Sequence, residues 1–168
     1  MTAIDYMPDP LVVPVTFTVK AGAYEGTATV EGLPSHVGSL LAVTFGKALT
    51  ERVRQIADKG MSPERDREYT KGQLATAGIA YLQAANAINE IGHDCEAPSP
   101  EQVGVDWPDG WDWAMFKPFD SDQSSRVADQ LRCLEKAAAL ILAEHMRVSA
   151  EAADEAACAA DERRAEGR

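Results

Sequence analysis

Several familiar devices of catalysis are missing from this sequence. There is no G-x-S-x-G, no G-x-x-x-x-G-K-[ST] and no G-x-G-x-x-G, which argues against serine hydrolase, P-loop and dinucleotide-binding chemistry. Only three histidines occur, His36, His93 and His145, and no pair has helical ligand spacing. A metal site is not expected on that ligand set, and neither is a cofactor. The three cysteines, Cys95, Cys133 and Cys158, are odd in number and form no C-x-x-C pair. That usage fits reduced thiols rather than a disulfide framework. Bases are outnumbered, 16 against 27 acids, for a net charge of −11. Such a chain repels nucleic acid and anionic membrane in bulk, so neither is an expected partner. No apolar run approaches the ~18 residues of a membrane span. The start, M-T-A-I-D-Y-M-P-D-P, lacks the basic and apolar regions of a signal peptide. The expected location is therefore the cytoplasm.

What is present is patterned. The 168 residues suit one domain, and 45% hydrophobic content is ordinary for a folded one. Val13, Val15, Phe17 and Val19 alternate with Thr16, Thr18 and Lys20, and alternation resumes from Tyr24 to Glu31. This predicts a β-hairpin, with Pro14 favouring an edge position for its first strand. Leu41, Phe45, Leu49, Val53 and Ile56 then form one apolar stripe on a helix that Gly60 can end. Ser62-Pro63-Glu64 can open a short helical turn. Leu74, Ala77, Tyr81, Ala84, Ile88 and Ile91 mark a second long helix with many small residues. After a Pro/Gly-rich connection comes the strongest helical signal. Val127, Leu131, Leu134, Ala138, Ile141, His145 and Val148 follow a seven-residue repeat. On that apolar seam His145 is expected to be partly buried. The last helix is expected to be capped within Asp120 to Gln123.

The expected fold is α+β and mainly α: an N-terminal β-hairpin over 1–34, then a helical domain over 35–148. That domain comprises about three long helices, with a long aromatic loop, 92–120, before the last. An Ala/Glu-rich tail, 149–168, either extends the last helix or frays. A connection of ~30 residues is long for a compact domain and points to a functional or lid-like element.

Two clusters carry candidate chemistry. All three tryptophans, Trp107, Trp111 and Trp113, lie in D-W-P-D-G-W-D-W-A-M-F-K-P-F-D, with Lys117 between Phe116 and Pro118. Aromatic faces beside a cation suit stacking on a base. Packing across the helices competes for the same rings. Glu51, Arg52, Arg54 and Gln55, with Glu64, Asp66 and Tyr69, concentrate charge and polarity at a helix end and its connector. An arginine there can grip a phosphate bidentately, although local ion pairing explains such a cluster equally well. These eleven residues form the expected ligand site. No catalytic residue is assigned.

The segments E-R-V-R-Q-I, G-M-S-P-E-R-D-R-E-Y-T-K, W-P-D-G-W-D-W-A-M-F-K-P and L-E-K-A-A-A-L-I-L-A-E occur in the order seen in a widespread family of small phage and prophage proteins. The chain resembles that family from about Glu51 to Glu144. It departs from the pattern at Met61, where the family has tryptophan, at Arg65, where it has histidine, and at His145, where it has isoleucine. The resemblance implies a phage accessory protein acting in the host cell. The leading expectation is a non-enzymatic counter-defence binder, which sequesters a host nucleotide signal or blocks a host defence protein, with a homo-oligomer as a candidate assembly. The alternative is an all-α, magnesium-dependent nucleotide pyrophosphohydrolase. Such enzymes need E-x-x-E and E-x-x-D sets on facing helices, whereas Glu51, Glu90, Glu135 and Glu144 stand singly.

Overall fold

A computed structural model describes residues 15–21, 24–30, 35–91, 104, 106–118 and 125–166. It contains four α-helices among these residues: α1 (Ser35–Lys59), α2 (Pro63–Asp66), α3 (Gln73–Ile91) and α4 (Arg126–Glu166). Local chemistry sets their ends. Gly60 takes φ +64 after α1, and the Met61 N–H closes on the Gln55 carbonyl at 3.0 Å. Ser62 caps α2 by accepting from the Arg65 N–H, with Pro63 in the first turn. Ser125 accepts from the Ala128 N–H at the start of α4. The cap expected within Asp120 to Gln123 lies outside the described residues, as do His93, Cys95, Pro14 and most of the connection between α3 and the tryptophans.

The expected α+β class is corrected. Among the described residues the packed body is built of helices, and the N-terminal β-hairpin expected to complete the fold is not one of its layers. Among the described residues, the two extended segments before α1, β1 (Val15–Ala21) and β2 (Tyr24–Val30), pair with one another in a two-stranded ribbon. β1 runs alongside α1. Alternation dictates an extended backbone locally, but two strands make a ribbon too narrow to act as a sheet layer.

The core is the contact between α3 and α4, closed by Phe116. From α3 come Leu74, Ala77, Ala80, Tyr81, Ala84, Ala85 and Ile88, the stripe read from the sequence. From α4 come Cys133, Ala137, Leu140 and Ala143. Both faces are built largely of small side chains, so the helices approach closely. At Gly78 an added Cβ would meet Ile141 Cγ1 at 3.3 Å and the Ala137 carbonyl at 3.4 Å. This closeness decides which face of α4 is buried. Val127, Leu131, Leu134, Ile141 and Val148, the heptad seam, are too bulky for it and stay exposed. His145 on that seam is exposed as well, which corrects the expectation of burial.

In α1 the apolar stripe is likewise not the buried face. Phe45 is 49% exposed and Leu49, Val53 and Ile56 are half-buried, whereas Glu51, Arg52 and Gln55 are 4–7% exposed. Polar groups are tolerated inside where partners meet them. The partners here are Arg54 and Asp66. α4 continues unbroken through the Ala/Glu-rich segment to Glu166, spanning roughly 60 Å at 1.5 Å per residue. No helix among the described residues is long and apolar enough to cross a membrane.

Candidate functional site

The tryptophan segment is a short chain of turns rather than an open loop. Pro108 accepts from the Trp111 N–H at 3.1 Å across a turn in which Gly110 takes φ +80, a conformation that glycine adopts without strain. Asp112 caps a single 3-10 turn, Trp113–Met115, by accepting from the Ala114 N–H at 2.9 Å. Helices α3 and α4 then pin the segment. The Tyr81 hydroxyl donates to the Met115 carbonyl at 3.3 Å and accepts from the Lys117 N–H at 3.2 Å. From α4, Lys136 Nζ donates to the Lys117 carbonyl and Cys133 Sγ to the Pro118 carbonyl. Burial pushes the Tyr81 hydroxyl above its ordinary value and the Cys133 thiol up to about 12, so both act as protonated donors at neutral pH.

The aromatic rings form one cluster. Trp107 lies at its centre, edge-on to Tyr81, Trp111 and Phe116 and stacked against Trp113 at 5.8 Å. Tyr69 meets Trp111 edge-on at 5.0 Å. Packing and lining are thus divided among the rings. Trp107 and Trp111 pack on the core and also face a cavity, whereas Trp113 is 46% exposed and lies outside it.

That cavity, of about 350 Å³, lies between the C-terminal half of α1, the tryptophan segment and the middle of α4. Six of the eleven expected site residues line it: Glu51, Arg54, Gln55, Trp107, Trp111 and Lys117. Five do not. Arg52 and Asp66 form a buried ion pair behind it, Glu64 is exposed, Tyr69 supports Trp111, and Trp113 covers Trp107. The wall also includes Lys59, Met61, Tyr81, Met115, Arg132 and Lys136, which were not among the expected residues. Lys136 had a legible signal, being a lysine inside the small-residue run E-K-A-A-A-L of a helix. It is 8% exposed, and its ammonium lies 5.4 Å from the centre of the Tyr81 ring.

The electrostatics of the wall oppose those of the chain. Five cations (Arg54, Lys59, Lys117, Arg132 and Lys136) face the cavity with one carboxylate, Glu51. Arg54 grips that carboxylate with two bonds of 2.7 Å, and Gln55 adds a third at 3.3 Å. Burial alone would raise the Glu51 carboxyl, but Arg54, Gln55 and Lys136 outweigh it and hold it below its ordinary 4.5. A lowered acid stabilises the fold above its unfolded value, and that stability is lost as pH falls through the folded one. Glu51→Gln is therefore expected to cost roughly 1–2 kcal/mol at pH 7, because it weakens a charge-assisted pair. Denaturant melts should show this difference at full size above pH 4.5 and shrinking below it. A pH-independent gap would refute the assignment.

Among the buried polar atoms of the wall that have no hydrogen-bond partner among the described residues are the Gln55 amide oxygen and the Trp107 indole N–H. Among those residues, no group of three or more His, Cys, Asp or Glu side chains could hold a metal ion. Compared with protein-family models, curated proteins and solved structures, the chain matches none. The cavity's own chemistry therefore has to indicate the ligand.

Proposed function

We propose that this chain binds a small anionic ligand carrying a flat ring, of the nucleotide class, and holds it without turning it over. The observation that carries this reading is a cavity with a net positive wall in a chain of net charge −11, with Trp107 and Trp111 beside the cations. Its volume of about 350 Å³ is at the small end of ligand pockets, ~300–1,000 Å³, which suits one compact ligand rather than a nucleic-acid strand. Lys59 and Lys117 supply positive charge for a phosphate, with Arg132 and Lys136 adding to the positive field of the wall. The indoles supply apolar faces for a ring. Gln55 offers a buried acceptor to a ring or sugar group.

In the phage setting implied by the family resemblance, the ligand is a host cytoplasmic signal taken out of circulation. The pocket supports this over direct blocking of a defence protein, the reading that the acidic charge of the chain would fit. It also favours binding over pyrophosphate hydrolysis. Magnesium-dependent chemistry requires several convergent carboxylates, and this wall has one, already clamped by an arginine. The test is to incubate the protein with mono-, di- and cyclic nucleotides, denature it, and identify what is released by mass spectrometry. Intact ligand at fixed stoichiometry is expected. Magnesium-dependent release of pyrophosphate would overturn the reading in favour of an enzyme.

A further inference from the structure

The heptad seam of α4 is an apolar surface that the chain's own core does not use. Val127, Leu131, Leu134, Ile141 and Val148 are each 41–56% exposed, with Ala138 and His145 completing the repeat. At 100° per residue the seam points away from Cys133, Lys136, Leu140 and Ala143, which are buried. Ile79 and Leu82 of α3, 52% and 41% exposed, extend the surface sideways, because Gly78 beside them abuts Ile141. Together these side chains leave roughly 600 Å² of apolar surface, at the upper limit for a monomer and approaching the ~800 Å² that each partner gives to a stable complex.

The geometry points to a second copy of this chain as the occupant, docked antiparallel along α4 with the two-fold axis at Ala138. A strict 3.5-residue period over three heptads is the pattern of a helix that packs against another helix. Reversing the helix about Ala138 brings Leu134 alongside Ile141 and Leu142, Leu131 against His145, and Val127 alongside Val148 and Ser149. Every layer then has an apolar partner, and alanine meets alanine at the centre, where the axes are closest. Charge is compatible as well, although the chain is strongly acidic overall. The two acids bordering the seam are Glu135 and Glu144, and the reversal brings Ile141 and Leu142 alongside the first and Gln130 to Arg132 alongside the second. No like charges are brought together. The same patch serves both copies, as a closed two-fold dimer requires.

Light scattering on the full chain should give twice the 18.1 kDa chain mass. Leu134→Glu combined with Ile141→Glu should return it to 18.1 kDa with unchanged helical circular dichroism, since both positions are about half exposed. Orientation is read from disulfide formation in a Cys95→Ser, Cys158→Ser background. Ala138→Cys should link to itself, whereas Val127→Cys should link only when mixed with Val148→Cys. A wild-type mass of 18.1 kDa at every concentration up to hundreds of micromolar would overturn the dimer. Self-linking of Val127→Cys would overturn the antiparallel arrangement.

Discussion

Asp66→Ala is expected to lower the unfolding free energy by roughly 3–5 kcal/mol, the usual cost of removing one partner from a buried ion pair. Arg52 and Asp66 are 4% and 1% exposed and pair with each other, so the alanine variant leaves a guanidinium buried without its counter-charge. The pair itself is imperfectly satisfied. Arg52 Nε and Nη1 and Asp66 Oδ1 have no hydrogen-bond partner among the described residues. Burial pushes the Asp66 carboxyl up, and Arg52 offsets this only in part. Replacing both residues, Arg52→Met with Asp66→Leu, is therefore expected to recover most of the loss. Urea melts of the two singles and the double measure this coupling. Additive losses in the double would show that the two side chains do not act as a pair.

Trp107→Ala and Trp111→Ala should separate packing from binding. Trp107 contacts four other rings, and its truncation is expected to cost roughly 3–5 kcal/mol, in the range for large core aromatics. Trp111 meets two rings, Tyr69 and Trp107, edge-on. Such contacts are worth about 0.5–1.5 kcal/mol each beyond area, so a loss of about 1–3 kcal/mol is expected from them. Binding should fall at least tenfold in Trp111→Ala, because stacking on a base is worth about 1–3 kcal/mol. Thermal melts give the first quantity and calorimetry the second. Equal stability losses with unchanged affinity would remove the indoles from the site.

Helix positions were legible in the sequence; the faces they bury were less so. In α3 the apolar stripe and the buried face coincide, because Leu74, Ala77, Tyr81, Ala84 and Ile88 all pack inward. In α4 periodicity located the helix but left open which of its faces is the core. A heptad pattern picks out side chains by apolarity, whereas a contact as close as that at Gly78 selects them by size, and small Cys133, Ala137 and Ala143 displace large Leu131 and Leu134. In α1 the same reasoning missed that Glu51, Arg52 and Gln55 point inward, since their burial depends on Arg54 and on Asp66, fourteen residues beyond Arg52. No local pattern encodes such a distant partner. The alternation before α1 indicated extended chain, and nothing in it could show that a ribbon would add no layer. The site was half legible for a similar reason. Clustered charge and tryptophan point to Arg54, Gln55, Trp107 and Lys117, and Lys136 stands out as a lysine in a small-residue run, whereas Arg132 reaches the cavity only through the packing of α4.

The central claim is that the cavity recognises an anion and a ring together. Isothermal calorimetry at a single salt concentration tests it most directly, comparing a panel of 5′-mononucleotides and cyclic nucleotides with the matching uncharged nucleosides and with inorganic phosphate. At least one nucleotide should bind about tenfold or more tightly than its nucleoside and than phosphate, since cations and indoles each contribute on the order of 1–3 kcal/mol. A nucleoside that binds as tightly as its nucleotide, or no binding by any member of the panel, would contradict it.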